Sequence, residues 1–148
     1  MSPYTSATPQ LFRAMMLASL GLSILAFVID ITVPALVPEI VRFAEEQYWN
    51  GSSTAGLVFR ITLLVVYVVA SLVAFVGLYQ FKPWARTANL VLAALMILVA
   101  PAMGHVVLSG LAQGFGEIAL FLWGAVLALA YFSPISERFG SSPHGRQI

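Results

Sequence analysis

Four stretches of this chain carry no formally charged side chain: residues 14–29, 61–81, 87–116 and 118–136. A helix needs about 20 apolar residues to cross the hydrocarbon core of a bilayer, and each stretch with its flanks meets that length. Only 9% of the residues are Asp, Glu, Lys or Arg, and 60% are hydrophobic; a soluble domain carries about a quarter charged residues. So few charges cannot wet the surface of a globule of 148 residues. Backbone groups in lipid must be satisfied within the segment or around a closed barrel. Barrel strands alternate apolar and polar positions over about ten residues, and these runs do not. The chain therefore reads as an all-α membrane protein, a four-transmembrane-helix bundle forming one domain over 1–148.

The expected spans are 11–33, 57–81, 87–108 and 113–132. The N-terminal stretch has one basic residue, Arg13, before its apolar run. No small-x-small cleavage site follows, because 28–31 reads Val-Ile-Asp-Ile. It is expected to be a retained first span behind a short polar tail, and 140–148 a flexible tail. Lysine and arginine set orientation. Arg13, Lys82, Arg86, Arg138 and Arg146 fall on one side; Arg42 and Arg60 fall on the other with Glu39, Glu45, Glu46 and Glu117. Both termini are thus expected in the cytoplasm. In "FKPWAR" (81–86) Pro83 ends a helix, Trp84 lies at headgroup depth, and the two cations face lipid phosphates.

The long loop between spans one and two then faces outward. Pro38 suits the first turn of a helix, and Ile40, Val41, Phe43, Ala44 and Tyr48 oppose Glu39, Arg42, Glu45 and Glu46. This predicts a short amphipathic helix over 38–48, too polar to span. Its acidic polar face differs from the basic face of lipid-sensing helices, so it reads as a lid over the bundle. The alternative is a partner-docking surface of Glu39, Arg42, Glu45, Glu46 and Trp49. Asp30 and Arg60 lie at similar depth on consecutive spans, and charges at membrane depth are costly unless paired; an ion pair between them, direct or bridged by water, is expected, the alternative being that both snorkel to the interface. With His105 and Glu117, the latter opening span four where an acid suits the helix dipole, they outline a candidate polar vestibule.

No enzyme template fits, and no catalytic residue, cofactor or metal is expected. The chain has two histidines and no cysteine, too few for a zinc site, and no HExxH occurs. Met15, Met16, Met96 and Met103 read as packing filler. A net charge of +1 with no basic block argues against nucleic acid. Small residues at three- or four-residue spacing (Ala14, Ala18 and Gly21; Ala70, Ala74 and Gly77; Gly124 and Ala128) predict close helix packing. "GLAQG" (110–114) has the same form within an expected turn. The span centres hold few polar side chains, chiefly Ser23, Ser71 and Asn89, and serine hydroxyls usually bond their own helix.

With "GLYQFKPWAR" (77–86) and "GAVLALAYFSPISERF" (124–139), the chain resembles small four-span inner-membrane proteins of bacteria. The resemblance implies a bacterial inner membrane and a compact bundle, and supplies no catalytic residues. The leading functional expectation is a non-enzymatic accessory, scaffold or immunity-type factor, contacting membrane lipids and either a second copy of itself or a larger membrane protein. The competing one is a small transporter or channel, or a lipid- or quinone-binding protein using the vestibule of Asp30, Arg60, His105 and Glu117.

Overall fold

The computed structural model describes residues 8–103 and 107–140. The expected tail beyond 140, most of the N-terminal tail, and His105 lie outside the described residues. The chain runs α1 (Pro9–Thr32), a 3-10 turn (Pro34–Leu36), α2 (Glu39–Asn50), α3 (Thr54–Tyr79), α4 (Pro83–Met103), α5 (Gly110–Phe132) and a second 3-10 turn (Pro134–Phe139). Helices α1, α3, α4 and α5 are each long and apolar enough to cross a membrane, which makes this a multi-pass membrane protein. No strand occurs among the described residues.

Each helix begins where the local chemistry allows. Thr8 caps α1, accepting from Leu11 N–H at 3.3 Å, with Pro9 at the first helical position. Ser53 and Ser109 cap α3 and α5 in the same way, through Gly56 and Ala112. A side-chain oxygen at this position satisfies one of the orphan N–H groups of the first turn. Pro83 opens α4 rather than merely stopping α3, because its missing N–H costs nothing at a helix start. Segment 110–114 is the first turn of α5, not a loop, once Ser109 supplies the cap. The third span correspondingly ends at Met103, with Pro101 in its last turn.

The helices associate as two antiparallel pairs, α1 with α5 and α3 with α4. The first seam is built from Phe12, Met16, Ser19 and Ala26 against Ala112, Ala119, Val126 and Ala130. Phe12, Ser19 and Ala26 recur every seven residues, as do Ala112, Ala119 and Val126, the repeat that keeps one stripe facing a partner. At the centre Ser19 Oγ donates to Ala119 O across the seam at 2.8 Å. The small residues Ala14, Ala18, Gly21, Gly124 and Ala128 face outward instead, and a Cβ added at Gly21 or Gly124 would meet nothing within 4 Å. The motif was right in kind but one helical face out of phase. In α3 the expectation holds: Ala74 and Gly77 are buried.

The two pairs are joined at the end of the bundle that carries Arg13, Lys82, Arg86 and Arg138, here the basic rim. Phe12 stacks on Phe81 at 5.6 Å and meets Phe139 edge-on at 6.2 Å, and Phe81 meets Phe139 at 5.3 Å. Met16, Leu78, Ala85, Val126, Ala130 and Ile135 complete this plug. Phe81 enters it from a helix-ending turn in which Lys82 N–H donates to Gly77 O at 2.9 Å and Phe81 N–H to Leu78 O at 3.0 Å. That pattern needs a left-handed residue, and Phe81 takes it at φ 58°. Glycine is the usual choice there; the phenyl ring's place in the plug explains the exception.

Candidate functional site

The expected Asp30–Arg60 ion pair does not form, because each residue has other work. Asp30 Oδ1 accepts from Ser109 N–H at 3.0 Å. In a capping box that backbone N–H is satisfied by a Glu or Gln at the third helical position; in α5 that position is Ala112. Asp30 supplies the missing acceptor from α1, and its charge suits the positive end of the α5 dipole. Arg60 turns to α2, donating to Tyr48 Oη at 3.1 Å and Ser52 Oγ at 3.4 Å. Its guanidinium lies 5.4 Å from the ring centroids of Tyr48 and Trp49. Replacing Asp30 with alanine is therefore expected to destabilise the α1–α5 pair by about 1–2 kcal/mol, with Asp30→Asn costing less. Faster amide hydrogen exchange at 109–113 is the measurement; unchanged exchange in Asp30→Ala would refute the capping role.

Glu117 lies two turns inside α5 rather than at its start; it is exposed and accepts from Gln113 Nε2 at 3.0 Å. Asp30, Arg60 and Glu117 thus share no partner, and His105 lies outside the described residues. Of the expected docking surface, Glu39, Arg42 and Glu46 are exposed, while Glu45 and Trp49 are half-buried. At the basic rim Arg86 turns toward α5. Its Nη1 donates to Ala130 O at 3.1 Å, in the last turn of α5, and the guanidinium lies over Phe139 and Tyr131 at 4.9 and 5.3 Å. Arg13 lies over Tyr79 at 4.7 Å and Phe81 at 5.2 Å, its Nε buried without a hydrogen-bond partner. Helix α5 is consequently closed at both ends by charges lent from other helices, Asp30 from α1 and Arg86 from α4.

Above the aromatic plug the pairs stand apart, and the gap is a cavity of about 710 Å³ lined from all four spans and open along its side, where the wall residues Ile97 and Leu120 are 76% and 71% exposed. Its walls are mainly Leu20, Leu72, Leu92, Met96, Ile97 and Leu120. Phe75 and Trp123, stacked at 5.8 Å, form part of its floor next to the plug. The residues concerned, 19–23, 67–75, 89–97 and 116–123, lie at the middle of their helices. No charged residue lines it; its polar groups come from Ser19, Ser23, Tyr67, Ser71, Asn89 and Trp123. A smaller recess of about 190 Å³ between α3 and α4 shares Tyr67, Leu92 and Met96 with it. Pockets of about 300–1,000 Å³ with apolar walls and a few placed polar groups are the usual form of small-molecule sites.

The charged residues, where the sequence points to a site, do not mark this cavity. Ser23, Ser71 and Asn89 stood out as polar residues at span centres, and that was its only signal. The walls are ordinary membrane-helix residues, so nothing in the pattern separates cavity-lining from lipid-facing positions. No protein-family model, curated protein or solved structure matches the chain.

Proposed function

We propose that this is a non-enzymatic membrane protein that holds a small, largely apolar molecule between its two helix pairs. The observation that carries the reading is the mid-span cavity, whose size and lining suit such a guest. A bundle built only as a scaffold has no reason to keep its pairs apart, because helices in lipid gain by packing together. The reading places the protein in a bacterial inner membrane with both termini cytoplasmic. The collection of Arg13, Lys82, Arg86 and Arg138 at one rim supports that orientation, and the resemblance of 77–86 and 124–139 supports the membrane.

Gly116 gives the test. It lines the cavity, and a Cβ added there meets nothing within 4 Å. Gly116→Leu is expected to fill part of the cavity while keeping the fold, since leucine is a better helix former by almost 1 kcal/mol. Native mass spectrometry of protein released from membranes is expected to show a bound small molecule in the parent and its loss in Gly116→Leu. Equal occupancy in both would rule the cavity out as the place of binding.

A second reading, an accessory or immunity-type factor that docks another membrane protein or a second copy of itself, rests on α2. This helix buries none of its residues, and Ile40 is 79% exposed. On that reading the apolar side of an amphipathic α2 is the contact, with Glu39, Arg42, Glu45, Glu46 and Trp49 around it.

A further inference from the structure

We infer that the molecule held in the cavity ends in a neutral hydroxyl group, received by Asn89 and Ser71. The inference rests on the cavity being a binding site, and it names the chemistry of the ligand.

Asn89 is only 6% exposed yet lines the cavity. Both hydrogens of its amide are used: Nδ2 donates to Ala85 O at 2.8 Å and to Ala74 O at 3.1 Å. Those two carbonyls fix which end of the amide is nitrogen, because the reversed group would set oxygen against oxygen. Oδ1 is left with no donor among the described residues. The oxygen is not sealed in the protein, since Arg13 Nε alone is a fully buried polar atom without a partner among the described residues; it is open to a donor entering the cavity, where a hydrogen bond is stronger than in water. Ser71 lies on α3 one turn from Ala74. Three other span residues spend their hydroxyls on a carbonyl: Ser19 on Ala119 at 2.8 Å, Ser23 on Ser19 at 3.0 Å and Thr32 on Val28 at 2.7 Å, whereas Thr62 and Thr87, which line neither recess, are exposed. The Ser71 hydroxyl makes no such bond among the described residues, and it lines the cavity.

These two groups select by elimination. A ketone, ester or aldehyde only accepts, and leaves Asn89 Oδ1 unmet. A carboxylate or ammonium brings a charge to mid-span, where it is expensive, and no lining residue carries the opposite charge. A hydroxyl spends its one proton on Asn89 Oδ1 and accepts from the Ser71 O–H. At 1.5 Å per residue, Asn89 lies about 9 Å from the start of α4 and Ser71 about 12 Å from the end of α3. The hydroxyl therefore points toward the basic rim. The apolar body runs the other way, past Met96, Ile97 and Leu120. Long-chain or isoprenoid alcohols, sterol-like alcohols and hydroquinones belong to this class.

Radiolabelled farnesol binding to the full chain in lipid nanodiscs tests it, with unlabelled farnesol, its methyl ether and farnesal as competitors. The alcohol is expected to compete about tenfold better than the ether or the aldehyde. Ser71→Ala removes a hydroxyl bonded to nothing else described, so it leaves the fold intact; it is expected to cut the preference to about threefold. Asn89→Leu is expected to abolish the preference, and the competitor series on the parent protein stands even where that variant does not fold. Saturable binding with equal affinity for alcohol, ether and aldehyde would overturn the hydroxyl assignment and leave the binding site standing. Absence of saturable binding by any of them, with no small molecule in the native spectra, would overturn both.

Discussion

Phe12→Ala is expected to lower the stability of the bundle by about 3 kcal/mol, the low end of the range for truncating a buried phenylalanine. Phe12 is fully buried and is the ring on which Phe81 and Phe139 both rest. Its loss leaves a void where α1, the α3–α4 turn and the segment after α5 meet. Little of the cost comes from transfer out of water, since the alternative surroundings are partly lipid; most comes from packing contacts that the cavity cannot replace. Unfolding in mixed micelles of increasing dodecyl sulfate content, followed by tryptophan fluorescence, measures it. Phe121→Ala is the control: Phe121 is 81% exposed, and its truncation is expected to change stability by less than about 0.5 kcal/mol. Equal losses in the two variants would mean that the rim plug does not hold the pairs together.

Gly77→Val is expected to be nearly as damaging, at about 2–3 kcal/mol. A Cβ at Gly77 would lie 2.8 Å from the Trp84 ring and 2.9 Å from Ala85 Cβ. The indole can swing aside, but Ala85 is fixed to the backbone of α4, so the two helices must separate. That also strains the bond from Lys82 N–H to Gly77 O that closes the turn. Gly124→Val is the matched comparison, since a side chain there grows into open space and is expected to leave stability almost unchanged. Thermal unfolding in detergent separates the two; a Gly77→Val protein that melts with the parent would show that the helices do not cross this closely.

The four spans and the short helix after Pro38 were legible because they follow from rules that act within one segment; the turn expected over 81–86 is shorter, since α4 already begins at Pro83. Charge avoidance sets span length, and proline and glycine punctuate the ends. What stayed hidden depends on partners distant in sequence. Asp30 looks like half of an ion pair until Ser109 is brought beside it by the α1–α5 seam. Arg86 looks like a headgroup anchor until the last turn of α5 presents Ala130 O. The small residues announced close packing, yet their phase could not be read, because Ser19, Ala26, Ala112 and Ala119 are as small as the ones that face outward. The cavity was hidden for a related reason: an empty volume is a property of how helices diverge, and Leu92 or Met96 reads alike against lipid, protein or a guest. Asn89 and Ser71 were the exception, polar where a span has no cause to be.

The capping of α5 by residues from α1 and α4 has a consequence for biogenesis. Ser19 and Ala119 are 100 residues apart in sequence, so α1 enters the bilayer long before the helix it pairs with has been made. Until then the carboxylate of Asp30 and the guanidinium of Arg86 stand without their backbone partners. Only the arrival of α5 supplies both partners, Ser109 N–H for Asp30 and Ala130 O for Arg86, so the last span made completes the polar contacts of the first and third.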